Sequence, residues 1–443
     1  MKSKKFVLAW LVLLAITMVL LPLAGCKNDT VPPEVEKQEQ GDGGGSETDK
    51  NNTAAKLVSI SVTPSARTVY SVGEKVAGEI EVIATYDDEE EKLVTGRITT
   101  DTSTLTQSAG VKPVTVSYKD GGIEESCQFE IRVLPKKLTN YKSPNNTDDS
   151  WTYVEFGEWP QNEAPGVDPT LVDPQPENLF KDKYYSDANG EYVKEGNKYY
   201  KVEPIVWRVL NKDYASTGKA LLLAESILTG GVPYYVSTDT REITKEKETG
   251  TETETETVTV YPNNWQYSTI RAWLNGRYEE KDSQLKTYTD KGFLQTAFTE
   301  SAQTLIELTT VDNTAASTTD AGSNLPPATD YACANTTDKV FLLSEQEATN
   351  SDYGFDEYDR WVGDNYGTTT STRIRVTTDY AEATGAYPGD SSAVYGGWWW
   401  LRSPSYGYED DARGIRDHGI ALNFNIVDFT NGGVVPALSI SLQ

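Results

Sequence analysis

The side chains that most often carry chemistry are sparse or unpatterned in this chain. There is one histidine, His418, and there are three cysteines, Cys26, Cys127 and Cys333. A single histidine gives no arguable Ser-His-Asp grouping, and no His/Cys cluster has metal-ligand spacing, so neither a metal nor a cofactor is expected. Asp and Glu together number 67, which leaves a two-carboxylate hydrolase open, but nothing singles out a pair, and most of them read as solvated surface. One stretch has a composition suited to contact instead of bond-making. Tyr406 to Asn431 is rich in Tyr, Asp, Asn, Gly and isolated large apolar residues, and it holds His418. Tyr and Phe offer large contact area at low entropy cost, while Asp, Asn and His set polar specificity. The chemistry indicated is recognition, and no enzyme is expected.

Such a segment needs a frame. Trp398 to Pro404 before it and Gly432 to Leu438 after it are apolar and read as core, because large aromatics are mostly buried. Within it Ile420, Leu422, Phe424 and Ile426 alternate, a pattern that an ordinary core strand also produces. Both readings stand on the pattern alone. Upstream, Val202 to Leu210 and Lys219 to Ala224 predict two buried strands joined by a polar turn, and Lys339 to Leu343 predicts another. Ser268 to Asn275 predicts a short helix capped by Ser268, with Ile270, Trp273 and Leu274 on one face. The insert Thr251 to Thr257, which alternates Thr with Glu, reads as an exposed hairpin or a solvated loop. These elements make residues 138–443 a mixed α+β domain.

From Leu57 to Leu134 the texture is different. Short alternating stretches (Leu57 to Val62, Gly78 to Tyr86, Lys112 to Tyr118, Cys127 to Val133) are divided by turn signals such as Asp120-Gly121-Gly122, which predicts a β-sandwich over 56–136. Before it, residues 26–55 are polar and glycine-rich and hold too little apolar surface to fold, so they read as a flexible tether. Met1 to Lys5 is basic and Phe6 to Leu23 almost wholly apolar, the layout of a signal peptide over 1–25. Cys127 and Cys333 fall in different domains, so no disulfide framework is expected. The net charge of −27 would repel phosphate backbones, which disfavours nucleic acid as a partner.

Three resemblances extend this reading. Leu23-Ala24-Gly25-Cys26 resembles the lipobox of bacterial lipoproteins, which implies lipidation of Cys26, a membrane anchor through that lipid, and a surface-exposed, extracytoplasmic location in the cell envelope. The opening strand with Thr63-Pro64, followed by Tyr70 to Glu74, is similar to bacterial immunoglobulin-like spacer domains. The set Pro204 to Leu210, Arg271 to Asn275, Thr309 to Asn313, Thr337 to Ser344, Trp399 to Pro404 and Val435 to Leu438 resembles bacterial surface lipoproteins and phage-borne proteins with a C-type-lectin-like fold of the formylglycine-generating-enzyme subtype. The expected fold is therefore an immunoglobulin-like β-sandwich followed by an α+β C-type-lectin-like domain.

In many members of that last family the stretch before Pro-Ala-Leu is the variable region of a diversity-generating retroelement, whose reverse transcriptase randomises adenines. A randomised AAC codon never yields Trp, Met, Lys, Gln or Glu. Tyr406 to Asn431 contains none of these except Glu409. The resemblance implies a variable, ligand-binding segment 406–431 with Tyr406, Tyr408, Asp410, Asp411, Gly414, Arg416, Asp417, His418, Ile420, Leu422, Asn423, Phe424, Asn425, Asp428 and Phe429 as variable positions. Ala412, Arg413 and Gly419 would be scaffold. The related enzymes use a cysteine pair with copper, whereas this domain has only Cys333. Calcium-dependent sugar lectins carry Glu-Pro-Asn or Gln-Pro-Asp; Gln175-Pro176-Glu177 departs from that motif, so calcium is unsupported. The function implied is a surface-displayed ligand-binding lipoprotein whose partner is a protein or glycan outside the cell. A static adhesin or envelope structural lipoprotein is the alternative, and a glycan-acting enzyme a more distant one.

Overall fold

The computed structural model describes residues 54–76, 80–145, 151–249, 252–276, 291–319, 326–355, 372–389, 396–421 and 423–442. The expected signal peptide, Cys26 and nearly all of the tether lie outside the described residues. Among the described residues no helix is long and apolar enough to cross a membrane. The protein is mostly β-sheet, arranged in several separate sheets with short helices between them. By contacts it divides into two compact units: residues up to 68, 76–102 and 113–131 form one, and 69–75, 103–112 and 132–443 the other.

In the first unit the strands Leu57–Val62, Val82–Tyr86 and Glu91–Leu93 form one antiparallel sheet. Alternation sets its buried face, with Val82, Ala84 and Tyr86 inside and the residues between them half-exposed. Leu57 and Ile60 are both buried although they are out of phase, because the register shifts between Leu57 and Ser59. Val114, Val116 and Tyr118 repeat the alternation on the strand Gly110–Asp120. The Tyr86 hydroxyl donates to Asp120 Oδ2 at 2.7 Å, so this buried phenol keeps a partner. Gly78 of the expected strand Gly78 to Tyr86 lies outside the described residues. Cys127 is a buried thiol outside any disulfide.

The second unit is built on a nine-stranded sheet whose path runs Val340–Phe341, Ala437–Ile440, Ala220–Ala224, Lys198–Asn211, Gly190–Glu195, Tyr184–Asp187, Thr170–Leu171. Thr152–Glu163 also pairs with Lys198–Asn211, and Lys136–Leu138 with Thr152–Glu163. Every residue of Ala220–Ala224 is buried, as expected of a run with no polar side chain. Buried indoles keep their hydrogen bonds: Trp159 Nε1 donates to the Leu228 carbonyl at 2.9 Å and Trp207 Nε1 to the Phe156 carbonyl at 2.7 Å. The expected helix is Thr269–Asn275, with the Ser268 hydroxyl accepting from Arg271 N at 3.2 Å and Gly276 ending it at φ 76°. Ile270 and Leu274 are buried, and Trp273 is half-buried. The expected strand over Lys339 to Leu343 is confined to Val340–Phe341.

The Thr/Glu insert forms an antiparallel hairpin, Arg241–Thr249 paired with Glu252–Val260. Lys245 stands opposite Glu256 and Lys247 opposite Glu254. At its root Ile243, Val260 and Tyr267 make a small buried cluster, which pins a register that the repeating sequence alone would leave free to slip.

Four carboxylates, expected as solvated surface, are instead buried against arginines. Arg208 meets Glu225 at 2.6 Å, Arg271 meets Asp338 at 2.8 Å, Arg413 meets Glu345 at 3.1 Å, and Arg402 pairs with Glu347. Burial opposes ionisation of Glu225 and Glu347, but Arg375 and Arg208 in the first case and Arg402 in the second outweigh it and hold both carboxyls below the usual range.

Candidate functional site

The C-terminal segment folds as a three-stranded antiparallel sheet, Trp399–Pro404, Asp411–Ile415 and Asn423–Ile426 in that order. Its inner strand is buried along its whole length. Trp398 and Trp400 meet edge to face with ring centres 4.4 Å apart, and Trp398 lies similarly against Phe429 at 6.2 Å. The tryptophans are framework, as their composition implies. The middle strand buries Ala412, Arg413, Gly414 and Ile415. The outer strand reverses the pattern, because Phe424 is 40% and Ile426 39% exposed. Alternation here points large apolar side chains outward.

Phe424 does not stand alone. Tyr408, 57% exposed in the loop between the first two strands, has its ring centre 5.8 Å from that of Phe424. Tyr406 in the same loop is 40% exposed. The Arg413 guanidinium lies 5.7 Å from the Tyr406 ring centre and 5.9 Å from that of Phe424. Arg413 is itself buried and ion-paired with Glu345. Magnitudes separate the two roles. Stranding a buried charge costs about 3–5 kcal/mol, so the Glu345 pair fixes the guanidinium, whereas each ring contact contributes only about 0.5–1 kcal/mol. Arg413 thus acts as a pedestal under two exposed rings.

The loop is held through its backbone. Asn263, fully buried, donates from Nδ2 to the carbonyls of Tyr408 at 2.8 Å and Asp411 at 3.1 Å, and from its own N–H to the carbonyl of Glu409 at 3.2 Å. Val427 N donates to the Asp410 carbonyl at 2.8 Å and Ser405 N to that of Asp411 at 2.9 Å. The side chains at these positions are not what anchors them.

The expected variable positions divide three ways. Tyr406, Tyr408, Arg416, Phe424 and Asp428 are exposed, and Asp410, Asp411, Asp417, His418, Asn425 and Phe429 are half-buried. His418 Nδ1 lies 2.5 Å from Asp417 Oδ1, in a turn closed by Gly419 N donating to the Arg416 carbonyl at 2.8 Å. Gly414 and Ile420 depart from the expectation that these side chains face outward. Ile420 is buried, and a Cβ on Gly414 would come within 2.3 Å of Trp398 Cζ2, so neither meets a partner directly. Leu422 lies outside the described residues, and Asn423 is described only as part of its strand. Ala412, Arg413 and Gly419, expected as scaffold, are buried. The sequence reading passed over Ile426, although the same alternation that carries Phe424 reaches it. It also passed over Asn263 and Glu345, whose link to the segment is purely tertiary.

Beyond the loop, Tyr261 and Tyr331 meet edge to face at 5.0 Å. Burial raises the Tyr331 phenol above its usual pKa, and the charges of Glu409, Asp330 and Asp410 add to that. Burial likewise raises Asp411, with Asp410 adding to it and Arg413 opposing. The surroundings of the exposed rings are negative. Among the described residues no group of three or more His, Cys, Asp and Glu is placed to hold a metal ion.

Fold and face together define a β-rich domain that presents a small aromatic surface on a pinned backbone. A family model described as a domain of unknown function, DUF6273, matches residues 217–442, which include this whole surface, and the chain belongs to that family. No curated protein matches the chain.

Proposed function

We propose that the protein is a surface-displayed ligand-binding lipoprotein, anchored through Cys26, in which an immunoglobulin-like sandwich spaces a C-type-lectin-like domain from the membrane. One observation carries the reading: Tyr406, Tyr408, Phe424 and Ile426, all large and apolar, stand exposed on the outer strand of the sheet and on the loop that joins its other two strands. Water disfavours such a cluster, and exposed apolar groups gathered together mark contact sites. The backbone clamp and the buried tryptophans supply rigidity, so binding loses little entropy in ordering the face. The face acts by contact and carries out no reaction.

Binding of the full chain to arrays of extracellular proteins and glycans tests this. A specific ligand whose binding is lost in Tyr408→Ser and Phe424→Ser supports the reading, and a ligand indifferent to both removes the face from it. Lipid attachment is read separately, by fatty-acid labelling of the wild type against Cys26→Ser.

Diversification by a retroelement is the fuller form of the proposal. The burial of Gly414 and Ile420 favours a second form, a static adhesin with a fixed face, because two expected variable positions are packed inside. Neighbouring DNA discriminates. A reverse-transcriptase gene beside an imperfect copy of the Tyr406 to Asn431 coding region, differing at adenines, supports diversification, and absence of such a copy supports the static form.

A further inference from the structure

We infer that the partner of this face is a protein surface or peptide presenting a lysine or arginine side chain beside an apolar one. The inference rests on the reading above and names the chemistry of the partner. The exposed rings stand within a field of carboxylates: Glu409 and Asp428 are exposed, and Asp410 and Asp411 half-buried, all in the segments that carry Tyr408 and Phe424. Asp330 extends that field towards Tyr331. The cation nearest the rings does not neutralise it, because Arg413 is buried and already paired with the equally buried Glu345. Arg416, the exposed cation of the segment, lies past the far end of the Asp411–Ile415 strand, beside Asp417 and His418.

An incoming ammonium or guanidinium gains twice in this setting. It pairs with the carboxylates, and it stacks on the open face of Tyr408, the most exposed of the rings. Ile426 offers a sugar hydroxyl nothing, but it suits an apolar side chain next to the basic one. The net charge of −27 draws cationic partners in from a distance and repels acidic ones.

Panning a phage-displayed random peptide library against the full chain tests the inference. The expected hits carry Lys or Arg next to an aromatic or aliphatic residue. Synthetic copies of those hits should bind at least about tenfold more weakly to Tyr408→Ser/Phe424→Ser. They should also weaken about tenfold, and lose most of their salt dependence, with Glu409→Gln/Asp410→Asn/Asp428→Asn. Removing the same number of charges at the exposed Glu91, Glu124 and Glu130, each changed to Gln, is the control and should leave affinity unchanged. Unaltered thermal unfolding checks that each variant is folded. Neutral or acidic hits that still depend on Tyr408 and Phe424 overturn the inference and leave the binding face standing. Basic hits that weaken equally with the Glu91, Glu124 and Glu130 control overturn it too, since the attraction is then general. Hits indifferent to the aromatic variants defeat both readings, and glycan binding that needs Tyr408, without any basic peptide, replaces the partner class.

Discussion

The inner and outer strands of the C-terminal sheet have similarly apolar sequences and opposite fates. Trp399–Pro404 is buried at every residue, while Asn423–Ile426 turns Phe424 and Ile426 to solvent. The difference comes from what covers each strand. Trp399 pairs with Ile415 on one side and bridges Gly433 on the other, and Arg402 N donates to the Leu343 carbonyl at 2.9 Å, so the inner strand has neighbours all around. The outer strand pairs only with Asp411–Ile415 in the sheet path. Apolar composition therefore does not identify the core of this domain, and position in the ladder does.

That contrast can be broken most severely at the inner strand. Glu347→Gln leaves the buried Arg402 without its counter-charge, and denaturant unfolding should register a loss of about 3–5 kcal/mol. A loss under about 1 kcal/mol would mean that the pair is solvated in solution. Gly414→Ala comes next, since its new methyl must displace Trp398; the same measurement should give about 1–3 kcal/mol. A neutral result would return Gly414 to the variable set.

Acid titration follows in size. The carboxyls of Glu225 and Glu347 lie below their unfolded values, so their contribution to stability is fully present above about pH 4.3 and is lost as pH falls through the depressed folded values. Thermal midpoints should hold from neutral pH to about 5 and then drop, and a rise on acidification would reverse the assignment. Smallest of all, the exposed Tyr408→Ser should change stability by no more than about 0.5 kcal/mol, and Phe424→Ser by about 0.5–1 kcal/mol, the size of its contact with Arg413. A larger loss would assign the rings to packing instead of contact.

Much of the frame was readable in the sequence. The Ser268 cap, the uniformly apolar Ala220–Ala224 strand and the tryptophan run each carry a local signature, in capping chemistry, period or size. The face was only half readable. Alternation through Ile420, Leu422, Phe424 and Ile426 gives the strand but not which side of it meets water, since that depends on a neighbour far away in sequence. The buried ion pairs were unreadable for the same reason: Arg402 and Glu347 are 55 positions apart, Arg271 and Asp338 67. Among so many acidic residues, nothing local distinguishes a carboxylate destined for the interior.

The Asn263 clamp has one more consequence. Its grip is on peptide carbonyls, which every residue type supplies alike, so it is blind to the identity of what stands at 408, 409 and 411. It is not blind to count. One inserted or deleted residue between the first and last of the gripped carbonyls shifts the chain by about 3.3 Å, enough to pull a carbonyl out of reach. The loop is thus free in alphabet and fixed in length, and change that respects this surface must come by substitution alone.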